Sequence, residues 1–120
     1  MAFAESGIGP LSDPTRAVYG YVATVAPNAW ITIPLLDAMG VAFAPTPANP
    51  FGIKDLIIKN VETVTCQIQF RQDTNIFLNF YCSPSADVKL SFEGMIPIYG
   101  TLQVRSSGGV AYVTVDGAQR

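Results

Sequence analysis

The residue types that usually carry chemistry are sparse in this chain, and their spacing is not that of any reactive site. There is no histidine, which removes the commonest general base and the commonest metal ligand together. Ser106 and Ser107 therefore have no imidazole to activate them, and beside Gly108 and Gly109 they read as a hairpin loop. Cys66 and Cys82 are too few for a structural zinc site, and their separation is not that of a ligand pair. Asp13, Asp37, Asp55, Asp73, Asp87 and Asp116 are scattered through turns and strand edges without the D-x-D spacing of a calcium loop. Asp37, Asp55, Glu62 and Glu93 are the carboxylates that folding could bring together. A hydrolase would need two of them within about 5–10 Å across an open cleft. No phosphate-binding glycine loop is present, since Gly7-Ile8-Gly9-Pro10 has neither strand nor helix beside it. What remains is binding. Tyr19, Tyr21, Trp30, Tyr99 and Tyr112 could form a sugar-stacking platform, although the same side chains serve core and interface packing. The expectation is a non-enzymatic protein with no cofactor and no metal.

Composition narrows the partners. Charged residues make up 13% of the 120, against roughly 25% in typical soluble domains. So few ionic groups cannot cover a monomer evenly. The outer faces are expected to be rich in Thr, Ser, Gln and Asn, with part of the surface covered by further copies in a homo-oligomer. A net charge of −2 with isolated lysines argues against a nucleic-acid surface, which shows a basic patch or stripe. No apolar run approaches the roughly 18–20 residues that cross a bilayer, so no membrane contact is expected. The first 15 residues hold no Lys or Arg and no apolar block, which is unlike a secretory signal. With Met1 at the start, synthesis in a cytoplasm is expected.

The elements that must position these residues are strands. Residues 61–104 alternate with period two: Val64, Cys66, Ile68 and Phe70, then Ile76, Leu78, Phe80 and Cys82, then Val88, Leu90 and Phe92, then Ile96, Ile98, Leu102 and Val104. Such alternation puts one face of each strand in a core. Breaks at 71–75, at 83–87 and around Gly94 read as turns, with Pro97 at an edge or bulge and Gly100 at a kink. Both cysteines fall on the inward register of neighbouring strands and are expected to be buried, reduced thiols. Before this meander, 17–26 and 29–36 read as strands around a turn at Pro27-Asn28, with Pro34 marking an edge or an end. A further strand covers 53–60, and a last one covers 110–115 and stops at Gly117. About eight strands at short, even spacing and no amphipathic helix predict an all-β antiparallel β-sandwich or jelly roll over 17–117. A tail follows at 118–120, and an extended N-terminal arm precedes the domain at 1–16.

Two stretches lack periodicity. The arm has Phe3, Ile8 and Leu11 as isolated apolar residues among Gly, Pro and Ser. It cannot bury a face of its own, so these three are expected to anchor on a neighbour. Residues 37–52 carry Pro45, Pro47 and Pro50 within six positions, which excludes helix and gives an extended path. A connection of this length is either a crossover between two sheets or an interaction loop. Phe43, Pro45, Pro47 and Phe51 are its candidate contact residues.

The segment GMIPIYGTLQVRSSGGVAYVTVDG, from Gly94 to Gly117, resembles the end of small β-sandwich proteins of tailed-bacteriophage virions. A strand of IPIYGxLxVRS type runs into a Ser/Gly hairpin and a final Val/Thr strand. The resemblance covers about a quarter of the chain closely, and the rest shares only the β-rich, charge-poor style. It implies a structural role with no catalytic residues to carry over. The implied protein is a head decoration (cement) protein, a symmetric oligomer with a trimer as the expected number, bound to the major capsid protein on the virion surface. A carbohydrate- or receptor-binding sandwich of fibre or adhesin type is the alternative expectation.

Overall fold

The computed structural model describes residues 16–24 and 28–119, and these form two antiparallel sheets packed face to face. The strands are β1 (Ala17–Ala23), β2 (Ile31–Thr32), β3 (Leu35–Asp37), β4 (Phe51–Asn60), β5 (Cys66–Gln72), β6 (Asn75–Cys82), β7 (Asp87–Ile98), β8 (Leu102–Ser107) and β9 (Ala111–Gln119). One sheet has the order β3-β1-β9-β4-β7 and the other β2-β8-β5-β6. The pairings are nested: β1 with β9, β2 with β8, β4 with β7, and β5 with β6. The chain is thus a ribbon folded back on itself at the β5–β6 hairpin and then wrapped into two layers. Ile53, Leu56, Ile58, Ile68, Phe70, Val104, Val113 and Val115, all 0% exposed, fill the space between them.

Several strand boundaries differ from the sequence expectation, each for a local reason. The stretch read as one strand over 29–36 is two short edge strands in different sheets. Ile33 still donates to the Leu102 carbonyl at 3.0 Å, but Pro34 has no N–H to continue that ladder, and Leu35 then pairs with Gly20 in the opposite sheet. A Cβ on Gly20 would lie 2.6 Å from Leu35 Cδ2, so the bare glycine is what admits this crossing. Around Gly94 there is no turn: β7 runs through as one strand, with residues 92–95 bulged out opposite Lys54 and Met95 at φ 58°. Gly100, read as a kink, lies where the chain leaves one sheet at Ile98 and enters the other at Leu102. At the C-terminal end Gly117 does not stop the last strand. It pairs with both Val18 and Ile53, and β9 continues to Gln119, so 118–119 are strand rather than tail. A Cβ on Gly117 would fall on the Gly52 carbonyl oxygen, and its absence lets the two backbones pass.

Cys66 and Cys82 face each other directly across β5 and β6, buried and unbridged as expected. Two side chains expected in the core are out of it. Val64 precedes the start of β5, and Ile76 is turned outward by a bulge. Phe70 pairs with Leu78 but Arg71 with Ile76, so Phe77 takes the inward place, its ring 6.5 Å from that of Phe70.

Candidate functional site

The irregular segment between β3 and β4 is held by its own short bonds. The Asp37 carboxylate accepts from the N–H of Met39 and of Val41, at 2.9 and 3.0 Å. Gly40 supplies the left-handed residue (φ 79°) that closes the turn. Phe43 N–H then donates to the Leu35 carbonyl at 2.9 Å, and Thr46 and Asn49 form a second small turn. Both flanking strands lie in the same sheet. The segment therefore passes from that sheet's edge to its interior, which overturns one of the two alternatives expected for it, a crossover between two sheets.

The four contact residues expected in this segment separate. Phe43 and Pro45 line an open apolar hollow of about 270 Å³ together with Ile33, Leu35, Leu36 and Ala42. Pro47 stands exposed on the second turn. Phe51 is 0% exposed, packed edge-on to Phe43 at 6.3 Å between ring centres, and so supports the hollow from beneath without reaching a partner. Phe3, Ile8 and Leu11 lie outside the described residues. Two further exposed apolar residues were missed. Met39 is 86% exposed and Val41 59%, carried on the Asp37–Val41 turn beside the hollow. The only sequence signal for them is an uncharged run, AMGVAFAP, inside a turn-forming segment.

The expected aromatic platform of five divides among three places. Tyr19, Tyr21 and Tyr112 are exposed on the outer face of the five-stranded sheet. The rings of Tyr21 and Tyr112 stack at 6.3 Å and 11°. Tyr19 lies opposite Leu36 on one side and Asp116 on the other, so this aromatic surface continues toward Met39 and Val41. Trp30 lies instead over the other sheet, with the Arg71 and Arg105 guanidinium carbons 4.3 and 4.8 Å from its ring centre. Those arginines join a polar lattice. Arg71 Nε donates to Gln103 at 2.7 Å, Gln103 to Thr32 at 3.1 Å, Arg105 Nε to Gln69 at 2.9 Å and Gln67 to Asn79 at 3.0 Å. Tyr99 sits in the β7–β8 connection, its N–H donating to Gln72.

The four carboxylates do not gather into one cleft. Asp37 caps its turn, and Glu62 accepts from the Val110 N–H at 2.8 Å, where it pins the β8–β9 hairpin. Asp55 accepts from the Ser91 hydroxyl at 2.6 Å, and with Glu93 it lines a shallow ledge that Lys54 and Lys89 also line. Two acids and two lysines thus share that ledge. Ser106, read as a turn residue, donates from Oγ to the Gly109 carbonyl at 2.9 Å. No group of three or more His, Cys, Asp or Glu suited to a metal occurs among the described residues.

Comparison with protein-family models finds none that matches the chain, and comparison with curated proteins finds no match either.

Proposed function

We propose that this chain is a non-enzymatic structural protein of a tailed-phage virion, a capsid decoration (cement) protein that acts as a homo-oligomer. The observation that carries the reading is the exposed apolar shoulder formed by Met39, Val41, Leu36 and Tyr19 with the hollow behind them. Contiguous exposed apolar surface on a small domain marks an interaction site. The nested strand pairing supports the same reading, because nested pairing is a feature shared with jelly rolls, an architecture common in capsid and lectin domains. The protein is made in the host cytoplasm and docks on the major capsid protein at the virion surface. The shoulder spans neighbouring capsid subunits, and each Å² of apolar surface covered contributes about 25 cal/mol before the cost of docking. Repetition over the shell makes the attachment multivalent.

The test is to purify particles from infections with the gene intact and with the gene disrupted. Quantitative mass spectrometry is expected to find the chain in many copies per particle, and shells lacking it are expected to rupture at lower temperature. A chain absent from purified particles overturns the reading. One observation favours a second reading, a glycan-binding module: Tyr19, Tyr21 and Tyr112 form an exposed aromatic face with Asp116 opposite Tyr19. Saccharide-induced shifts confined to those tyrosines in an NMR titration would select it.

A further inference from the structure

Among the described residues one side of the sandwich is left open: β6 is paired only with β5, and β7 only with β4. Core residues of the inner strands are sealed, whereas Leu78 and Phe80 of β6 and Val88, Leu90 and Phe92 of β7 are only half-buried. Two long strand edges therefore flank an incompletely covered apolar seam. Past Glu93 the β7 edge is guarded, since Met95 has left-handed backbone (φ 58°) and Pro97 has no N–H. Residues 87–93 keep a regular alternation of exposed and half-buried side chains. Asn60 N–H donates to the Ala86 carbonyl at 3.0 Å. By the alternation of an antiparallel ladder, Val88 and Leu90 then address β4, while Asp87, Lys89 and Ser91 turn their N–H and C=O groups to the free edge.

We propose that a second copy of this chain docks on that edge, β7 antiparallel to β7, about a two-fold axis through Ser91. Residues opposed across a ladder point to the same face, so outward residues must meet outward ones and inward ones inward. Within 87–93 that leaves axes through Lys89, Leu90, Ser91 or Phe92, and charge chooses among them. An axis at Lys89 sets two lysines against each other. One at Leu90 sets Asp87 against the partner's Glu93. One at Phe92 pairs no charges and needs Met95 in the ladder. The axis at Ser91 places Lys89 opposite the partner's Glu93 twice over, and Leu90 opposite the partner's Phe92. An isologous contact needs this self-complementarity. The pairing joins the two five-stranded sheets into one and covers half-buried seam residues from both copies. Its symmetry is two-fold, where composition and resemblance had led to the expectation of a trimer.

The proposal deepens the homo-oligomer part of the reading above. It is tested on the purified chain alone, so its failure leaves the capsid reading standing, and the reverse holds. Sedimentation equilibrium is run on wild type, Lys89→Glu, Glu93→Lys and the double reversal. Wild type is expected to be a dimer at micromolar concentration. Each single reversal puts like charges in both symmetric pairs and weakens the dimer by roughly tenfold or more, and the double reversal restores it. Both side chains are exposed, so thermal melts of the monomer should not move. Should a reversal disturb folding, Lys89→Gln and Glu93→Gln remove the attraction without adding repulsion, and weaker dimerisation is again expected. A wild type that stays monomeric or forms a trimer overturns the proposal. So do single variants that dimerise like wild type, or a double reversal that restores nothing.

Discussion

No other side chain among the described residues is as heavily bonded as Asn60, at the end of β4. Its amide nitrogen donates to the carbonyls of Val64, Cys82 and Ser83 at 2.9, 3.0 and 3.1 Å. Its oxygen accepts from Glu62 N–H at 2.9 Å and from the Cys66 thiol at 3.4 Å. One buried amide thus ties the β4–β5 loop to the start of the β6–β7 connection. Asn60→Ala strands several buried groups at once and is expected to cost about 3 kcal/mol, read as a lower urea midpoint at unchanged slope. Beside it, burial pushes the Cys82 thiol above its ordinary pKa, and a hydrogen bond from the Asn60 backbone only partly offsets this. The folded state therefore favours the neutral thiol. That contribution is fully present below the unfolded thiol pKa of roughly 8.5 and is lost as pH rises through the higher folded value. Urea midpoints should fall on the alkaline side, and Cys82→Ala should flatten that fall. Thiol reagents should label Cys82 at the rate of unfolding.

At the level of elements, the backbone exceptions decide what a sequence reader can see. Period-two alternation correctly marks Cys66, Ile68, Phe70, Leu102 and Val104 as core, all at most 2% exposed, because a sealed face admits only one register. It fails at Ile76 because a bulge of one residue shifts phase without altering residue types. It fails at Phe51 because β4 begins two residues earlier than its periodic run, opposite Ile98 and Gln119. A phenylalanine that looks like a loop anchor is then a core residue. Phe43 and Pro45 were legible as apolar residues left outside the strands, since apolar groups in a proline-rich segment have no strand of their own to bury them. Met39 and Val41 were not, because exposure on a turn leaves no periodic trace. The glycines at close approaches carry the sharpest element-scale prediction. Gly117→Ala drives a methyl group into the Gly52 carbonyl, where neither central strand can yield. It should cost about 3 kcal/mol or more. Gly94→Ala, whose Cβ meets open space, should leave the melting temperature nearly unchanged.

For the whole molecule, the two ends of the described sandwich are tied to each other. The Arg16 guanidinium donates to the Gln119 carbonyl from Nε at 3.1 Å and Nη2 at 2.8 Å, fastening the start of β1 to the end of β9. The core cluster runs from Val18 to Val115, and among the described residues no buried side-chain nitrogen or oxygen lacks a partner. Residues 1–12 precede this fastening and lie outside the described residues. Deleting them is therefore expected to leave the sandwich folded, with the same melting temperature and the same sedimentation behaviour. The arm's Phe3, Ile8 and Leu11 have a different expected use, as anchors on the capsid. Ordering an extended segment costs about 1–2 kcal/mol of backbone entropy per residue, so three apolar anchors must bury well for the arm to hold. Binding of the truncated chain to shells stripped of the native protein should then be weaker, and Phe3→Ala should account for a large share of the loss. A truncated chain that decorates as tightly as the full one removes the arm from the mechanism and leaves attachment to the Met39–Val41 shoulder. A truncated chain that fails to fold assigns the arm to the domain's own core.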